Sequence, residues 1–122
     1  RMRKKLASDS GPIELRVGGE TYSAAYMEHS ATETSASGML CDCSFGTSPC
    51  ECEGGGVCLI ERGEVFFDEK VANCERGGGS ATIIYNNVKA AILSPKFGTL
   101  GEGSDTSLPV LFISQTDGKY LV

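Results

Sequence analysis

Residues 57–87 read VCLIERGEVFFDEKVANCERGGGSATIIYNN, and their periodicity decides the fold. Residues 57–61 are a short, mostly apolar run that suits a buried strand. Arg62-Gly63 turns the chain. Phe67, Val71 and Cys74 then fall at i, i+4 and i+7, one face of a helix. Asp68, Glu69, Lys70, Asn73, Glu75 and Arg76 take the rest of that helix surface. Asp68 and Glu69 suit the positive end of the helix dipole, and Arg76 suits the negative end. A calcium site needs six or more oxygens, so this carboxylate pair reads as helix-end charge. Gly77-Gly78-Gly79 offers a glycine for the left-handed capping conformation. Residues 81–85 follow as a β-branched strand. Strand, helix and strand make a right-handed βαβ crossover over residues 57–86, with its strands parallel.

On the N-terminal side, Ile13, Leu15 and Val17 alternate with Glu14 and Arg16, the period of a half-buried strand. Gly18-Gly19 reads as a hairpin turn, with residues 21–27 as the return strand. Residues 37–56 form a Cys-, Gly- and Ser-rich loop. On the C-terminal side, residues 88–108 are a long loop with Pro95, Gly98, Gly101 and Gly103, the kind that is often functional. Residues 108–113 are a buried strand with Pro109 near its start. Ser114 caps a last helix through Tyr120. Residues 1–11 read as a basic tail or linker, and 12–122 as a single domain.

A chain of 122 residues allows one domain. Hydrophobic residues at 40% and charged residues at 22% exclude a wholly disordered chain. No apolar run approaches the roughly 20 residues of a spanning helix. Net charge is −5, but Arg1, Arg3, Lys4 and Lys5 hold four of the 11 basic residues, so the remainder carries 7 against 16 acidic residues, or −9. Such a body repels nucleic acid and anionic membrane, so neither is expected as a partner. No signal peptide is visible and the sequence does not begin with Met, so it reads as a piece of a longer protein.

Cys41, Cys43, Cys50, Cys52, Cys58 and Cys74 point to an oxidising compartment and a secreted chain with up to three disulfides. Six half-cystines allow 15 pairings, which sequence alone leaves open. A zinc site on Cys41, Cys43, Cys50 and Cys52 is the alternative, although structural zinc pairs mostly leave two to four residues between cysteines. Cys58 on a strand and Cys74 on the helix face packed over it are placed to bond. The other four then pair within their loop.

The single His29 lies in Tyr26-Met27-Glu28-His29, and Glu28 beside it points to the opposite side of a strand. It reads as an edge histidine, and no catalytic residue is assigned. There is no nucleophile elbow, dinucleotide fingerprint or phosphate loop, so no cofactor is expected.

The run from Arg62-Gly63 through Phe67 and Lys70 to Gly77-Gly78-Gly79 and Tyr85-Asn86-Asn87 resembles the core of the protease-associated (PA) domain family. Residues 108–118, LPVLFISQTDG, resemble the family's closing strand and last helix. Two departures stand out. Val65 occupies a place where the family often has Cys, and the Cys-rich stretch 41–52 is not a general family feature.

The resemblance implies an α+β fold, a small open β-barrel of about six to seven strands flanked by short helices. It also implies a non-catalytic domain that recognises or positions protein substrates or partners, the parent's catalytic domain included. The turns at 85–87, 98–101 and 113–118 look most like inserts in secreted subtilisin-like serine proteases, so the expected parent is a serine endopeptidase. Two alternatives stand beside this: a lumenal cargo-binding domain of a sorting receptor or membrane ubiquitin ligase, and a Cys-rich metal-binding module. The expected binding loop is residues 88–108, with Phe97 and Leu100 as apolar contacts and Lys89 and Lys96 as charges.

Overall fold

Apolar runs punctuated by glycine set the order of elements. The computed structural model describes residues 2–4, 12–17, 19–26, 35–36, 38–52, 54–89 and 108–122. The first strands are β1 (Met2–Lys4), β2 (Pro12–Val17), β3 (Glu20–Tyr26), β4 (Ser35–Ala36), β5 (Leu40–Asp42) and β6 (Val57–Glu61). Helix α1 (Phe67–Arg76), β7 (Ala81–Tyr85), β8 (Val110–Ile113) and helix α2 (Gln115–Leu121) follow.

These strands make one sheet in the order β4-β1-β2-β3-β8-β7-β6-β5. Strands β5 to β8 are mutually parallel, and β1 to β4 pair antiparallel. The two halves join where β3 meets β8 antiparallel, with Ala25 opposite Phe112. The α+β class is as expected; among the described residues the sheet has eight strands where about six to seven were expected, and its order runs between the edge strands β4 and β5. Two of the short strands carry too few residues to show a period. Met2–Lys4, inside the stretch read as a tail, pairs with β2, and Leu40–Asp42, inside the Cys-rich loop, pairs with β6.

The crossover forms as its periodicity predicts, with β6 and β7 parallel and Val57 opposite Ala81. Every residue of β7 and β8 is buried, because both faces of this half are covered. On one face α1 packs Val71 and Cys74 against Cys58, Ile60, Ile84 and Phe112. On the other, Leu59, Ile83, Tyr85, Leu111 and Ile113 pack together, with Leu121 of α2 against them. Each buried aliphatic side chain there contributes about 1.5–3 kcal/mol.

The glycine run ends α1 in a Schellman motif. Gly78 takes φ +95°. Its N–H donates to Glu75 O at 3.0 Å, and that of Gly79 donates to Cys74 O at 3.0 Å. Helix α2 starts where Ser114 Oγ accepts from Asp117 N at 3.1 Å.

Candidate functional site

The structure bonds Cys41 to Cys52, Cys43 to Cys50 and Cys58 to Cys74, with Cα separations of 5.7, 5.6 and 6.0 Å. The first two are nested and clamp residues 41–52 into a strap. Their sulfurs are therefore not thiolates, the form a metal-binding module on these cysteines would need. The third ties β6 to the buried face of α1.

The strap lies along α1 and bonds to it and to β6. Cys43 N donates to Leu59 O at 2.9 Å, and Glu61 N donates to Ser44 O at 2.7 Å. Cys50 N and Cys52 N reach the carbonyls of Asn73 and Gly77 at 3.3 and 2.9 Å. A Cβ at Gly77 would stand 1.5 Å from Cys50 O, so the glycine run serves strap packing as well as helix capping.

This covering buries Lys70 and Asn73, which lie off the Phe67, Val71 and Cys74 face of the helix. They are 0% and 3% exposed. Lys70 Nζ donates to the carbonyls of Phe45, Glu61 and Gly63 at 2.5, 2.8 and 2.6 Å, matching an ammonium's three protons. Asn73 Nδ2 donates to Gly46 O at 2.8 Å. Burial lowers the Lys70 pKa, and Glu61, Glu64 and Glu69 partly oppose that shift. Helix periodicity carries no sign of this cage, because its acceptors are backbone atoms outside the helix. The only signal was Lys70's place in the Phe-x-x-Lys pattern.

The carboxyl ends of the parallel strands form a rim, the usual place for ligands on such sheets. After β6, Gly63 and Glu64 take φ +120° and +73°, and the turn leaves Phe66 83% exposed. After β7, Asn86 is buried and accepts from Arg62 at 3.2 Å, while Val88 and Lys89 are exposed. The two loops meet, since Asn87 Nδ2 lies 3.5 Å from the place of a Cβ on Gly63.

Below them, Tyr85 O–H donates to Glu61 at 3.4 Å and Lys119 approaches the same carboxylate oxygen at 3.7 Å. Burial, with Glu61 beside it, pushes the Tyr85 phenol up to about 12. Of the expected binding loop, the structure places Lys89 on this rim. Lys96, Phe97 and Leu100 lie outside the described residues, as does His29.

Known proteins supply the context. Aminopeptidase YwaD of Bacillus subtilis is 35% identical over 68 residues, covering 55% of this chain and 14% of its own. A probable leucine aminopeptidase 2 of Aspergillus oryzae is 33% identical over 115 residues, 88% of this chain and 22% of its own. The human ER degradation-enhancing alpha-mannosidase-like protein 3 is 29% identical over 119 residues, 92% of this chain and 13% of its own. The chain thus spans 13–22% of the length of these relatives.

Among solved structures, the zinc aminopeptidase BSAP of Bacillus subtilis matches with a TM-score of 0.73 at 26% identity, covering 88% of this chain and 27% of that one. An aminopeptidase from Aneurinibacillus sp. strain AM-1 matches with a TM-score of 0.74 at 29% identity, covering 93% and 27%.

These relatives correct the expectation of a subtilisin-like serine endopeptidase as parent, since the peptidases among them are aminopeptidases. Of the residues that carried that expectation, Tyr85, Asn86 and Ile113 are buried in the domain's frame, Asn87 is exposed, and 98–101 lie outside the described residues. The PA domain family profile matches residues 20–121, and the chain belongs to that family.

Proposed function

We propose that this chain is the non-catalytic PA domain of a secreted aminopeptidase-type protease, and that it positions polypeptide substrate against the parent's catalytic domain. Family membership over residues 20–121, together with the aminopeptidase relatives, carries the proposal. Among the described residues, all six sulfurs are bonded and Lys70 gives its three protons to carbonyls. Three disulfides favour an oxidising compartment. The working surface is the carboxyl rim with Phe66, Val88 and Lys89, and Lys96, Phe97 and Leu100 of the 88–108 loop are proposed as further contacts.

The test deletes residues 94–104 in the parent enzyme and compares an aminoacyl anilide with a long polypeptide. Anilide turnover is expected to hold while kcat/KM for the polypeptide falls. Equal kinetics on both substrates before and after deletion would end the positioning role.

A second reading rests on the human mannosidase-like relative, which aligns with 92% of the chain. In it the same rim holds a protein partner inside a lumen, and the parent need not be a peptidase. The two readings separate on whether the parent releases N-terminal residues from peptides.

A further inference from the structure

We propose that the outer edge of β5 is a docking strand for an extended polypeptide segment with alternating apolar and cationic side chains. The inference does not require the parent to be a peptidase. Strand β5 is last in the sheet order and pairs on one side, with β6. In a parallel ladder, alternate residues of a strand bond to a given neighbour. Met39 O accepts from Val57 at 2.8 Å and Cys43 N donates to Leu59 at 2.9 Å. The register, Cys41 opposite Cys58, gives Cys41 the intervening pair of bonds. The N–H and C=O groups of Leu40 and Asp42 therefore point away from β6. Neither residue has a backbone partner on that side among the described residues.

Three features favour a visiting strand. The edge is rigid, because Cys41 and Cys43 are anchored to Cys52 and Cys50, so little conformational freedom is lost on docking. Its length is fixed. After Asp42 the chain turns at Ser44, φ +53°, whose N–H donates to Asp42 Oδ1 at 3.0 Å. A short edge resists pairing with its own copies and still allows weak, reversible strand addition. Its flanks also select. Met39 is 83% exposed and offers an apolar contact, while the exposed Asp42 and Glu51 favour cations. Main-chain bonds accept many sequences, and side chains at alternate positions choose among them.

The test is amide hydrogen exchange and chemical shift read by NMR on the 122-residue chain. The probe is a short synthetic peptide alternating valine and lysine. In the free chain the Leu40 and Asp42 amides should exchange fast, while those of Cys41 and Cys43, held by β6, exchange slowly. The peptide should shift Leu40 and Asp42 and slow their exchange several-fold. A valine–glutamate peptide should bind more weakly.

Leu40→Pro removes one outward N–H and no bond to β6. It should abolish the effect while Cys41 and Cys43 stay protected. Should that variant fail to fold, the wild-type protection pattern decides. The proposal falls if Leu40 and Asp42 are already protected in the free chain. It also falls if they shift on dilution without peptide, which marks a second copy. Peptide shifts confined to Phe66, Val88 and Lys89, no shifts at all, or binding that survives in a folded L40P protein would overturn it as well.

Discussion

Two lysines converge on Glu61 from opposite faces of the sheet. Lys70 of α1 takes its backbone carbonyl at 2.8 Å, and Lys119 of α2 stands 3.7 Å from its carboxylate. Each lies over an aromatic ring, Lys70 at 5.7 Å from Phe45 and Lys119 at 5.9 Å from Tyr85. What separates them is water. The Lys70 residue is 0% exposed, whereas the Lys119 side chain is 57% exposed. Water would compensate the loss of Lys119. Of the three carbonyls that Lys70 satisfies, that of Gly63 also accepts from Val65 N at 2.9 Å, while those of Phe45 and Glu61 would lose their ammonium donor.

The largest expected effect therefore comes from Lys70→Met, which fits the apolar part of the cage and takes the ammonium donor from the Phe45 and Glu61 carbonyls. Leaving a buried polar group unpaired costs about 1–3 kcal/mol, so the two neighbouring carbonyls of Phe45 and Glu61 should together cost about 3 kcal/mol. Urea unfolding with the disulfides intact measures this. A loss below about 1 kcal/mol would show that water reaches the carbonyls.

The same lysine gives a pH signature. Its pKa is lowered from 10.5, so as pH rises the folded chain releases that proton before the unfolded chain does. Lys70 should make stability increase with pH from its folded pKa up to 10.5, and K70M should lack that rise.

Next in size are the disulfides. Chain entropy assigns the Cys58–Cys74 bond, with separation 16, about 3 kcal/mol, and the Cys43–Cys50 bond, with separation 7, about 2.5 kcal/mol. The totals are close but the places differ. Cys58→Ala with Cys74→Ala should lower protection through β6 and α1. Cys43→Ser with Cys50→Ser should free the strap first, raising exchange at the Glu61 amide, which bonds Ser44 O. Hydrogen exchange of the two double variants tells whether strap and crossover unfold as separate units.

That separation matches what could be read from sequence. In the crossover, two continuous apolar runs flank the helix spacing of Phe67, Val71 and Cys74, and the buried helix face follows from that spacing alone. The strap obeys no period. Its bonds run from Lys70 and Asn73 to carbonyls of Phe45 and Gly46, and a carbonyl is the same atom whatever residue carries it. A polar residue on a helix is read as solvated until something is known to cover it. The host protein was illegible for a related reason: the residues that mark the family build its buried frame.

The smallest effects belong to the solvated cluster, and they sharpen the contrast between the lysines. Lys119→Ala should cost about 0.5 kcal/mol, because an exposed ion pair at 3.7 Å gains little over hydration. Tyr85→Phe removes the phenol O–H that donates to Glu61 at 3.4 Å, a long bond, and should cost under about 1 kcal/mol near neutral pH. Its clearer signature is at high pH. The phenol is raised from 10.0 to about 12, so the unfolded chain ionises first. The stability this shift provides is complete below pH 10 and is lost as pH climbs towards about 12. Y85F should flatten that decline, with tyrosinate absorbance identifying the late-titrating ring. The opposite slopes of Lys70 and Tyr85 make the urea midpoint of the wild-type chain rise and then fall with alkaline pH. Tyr22, also raised, adds to the fall, so the lysine is read from the difference between wild type and K70M. Parallel curves would mean that Lys70 stays protonated throughout and that its cage holds the ammonium more firmly than burial alone allows.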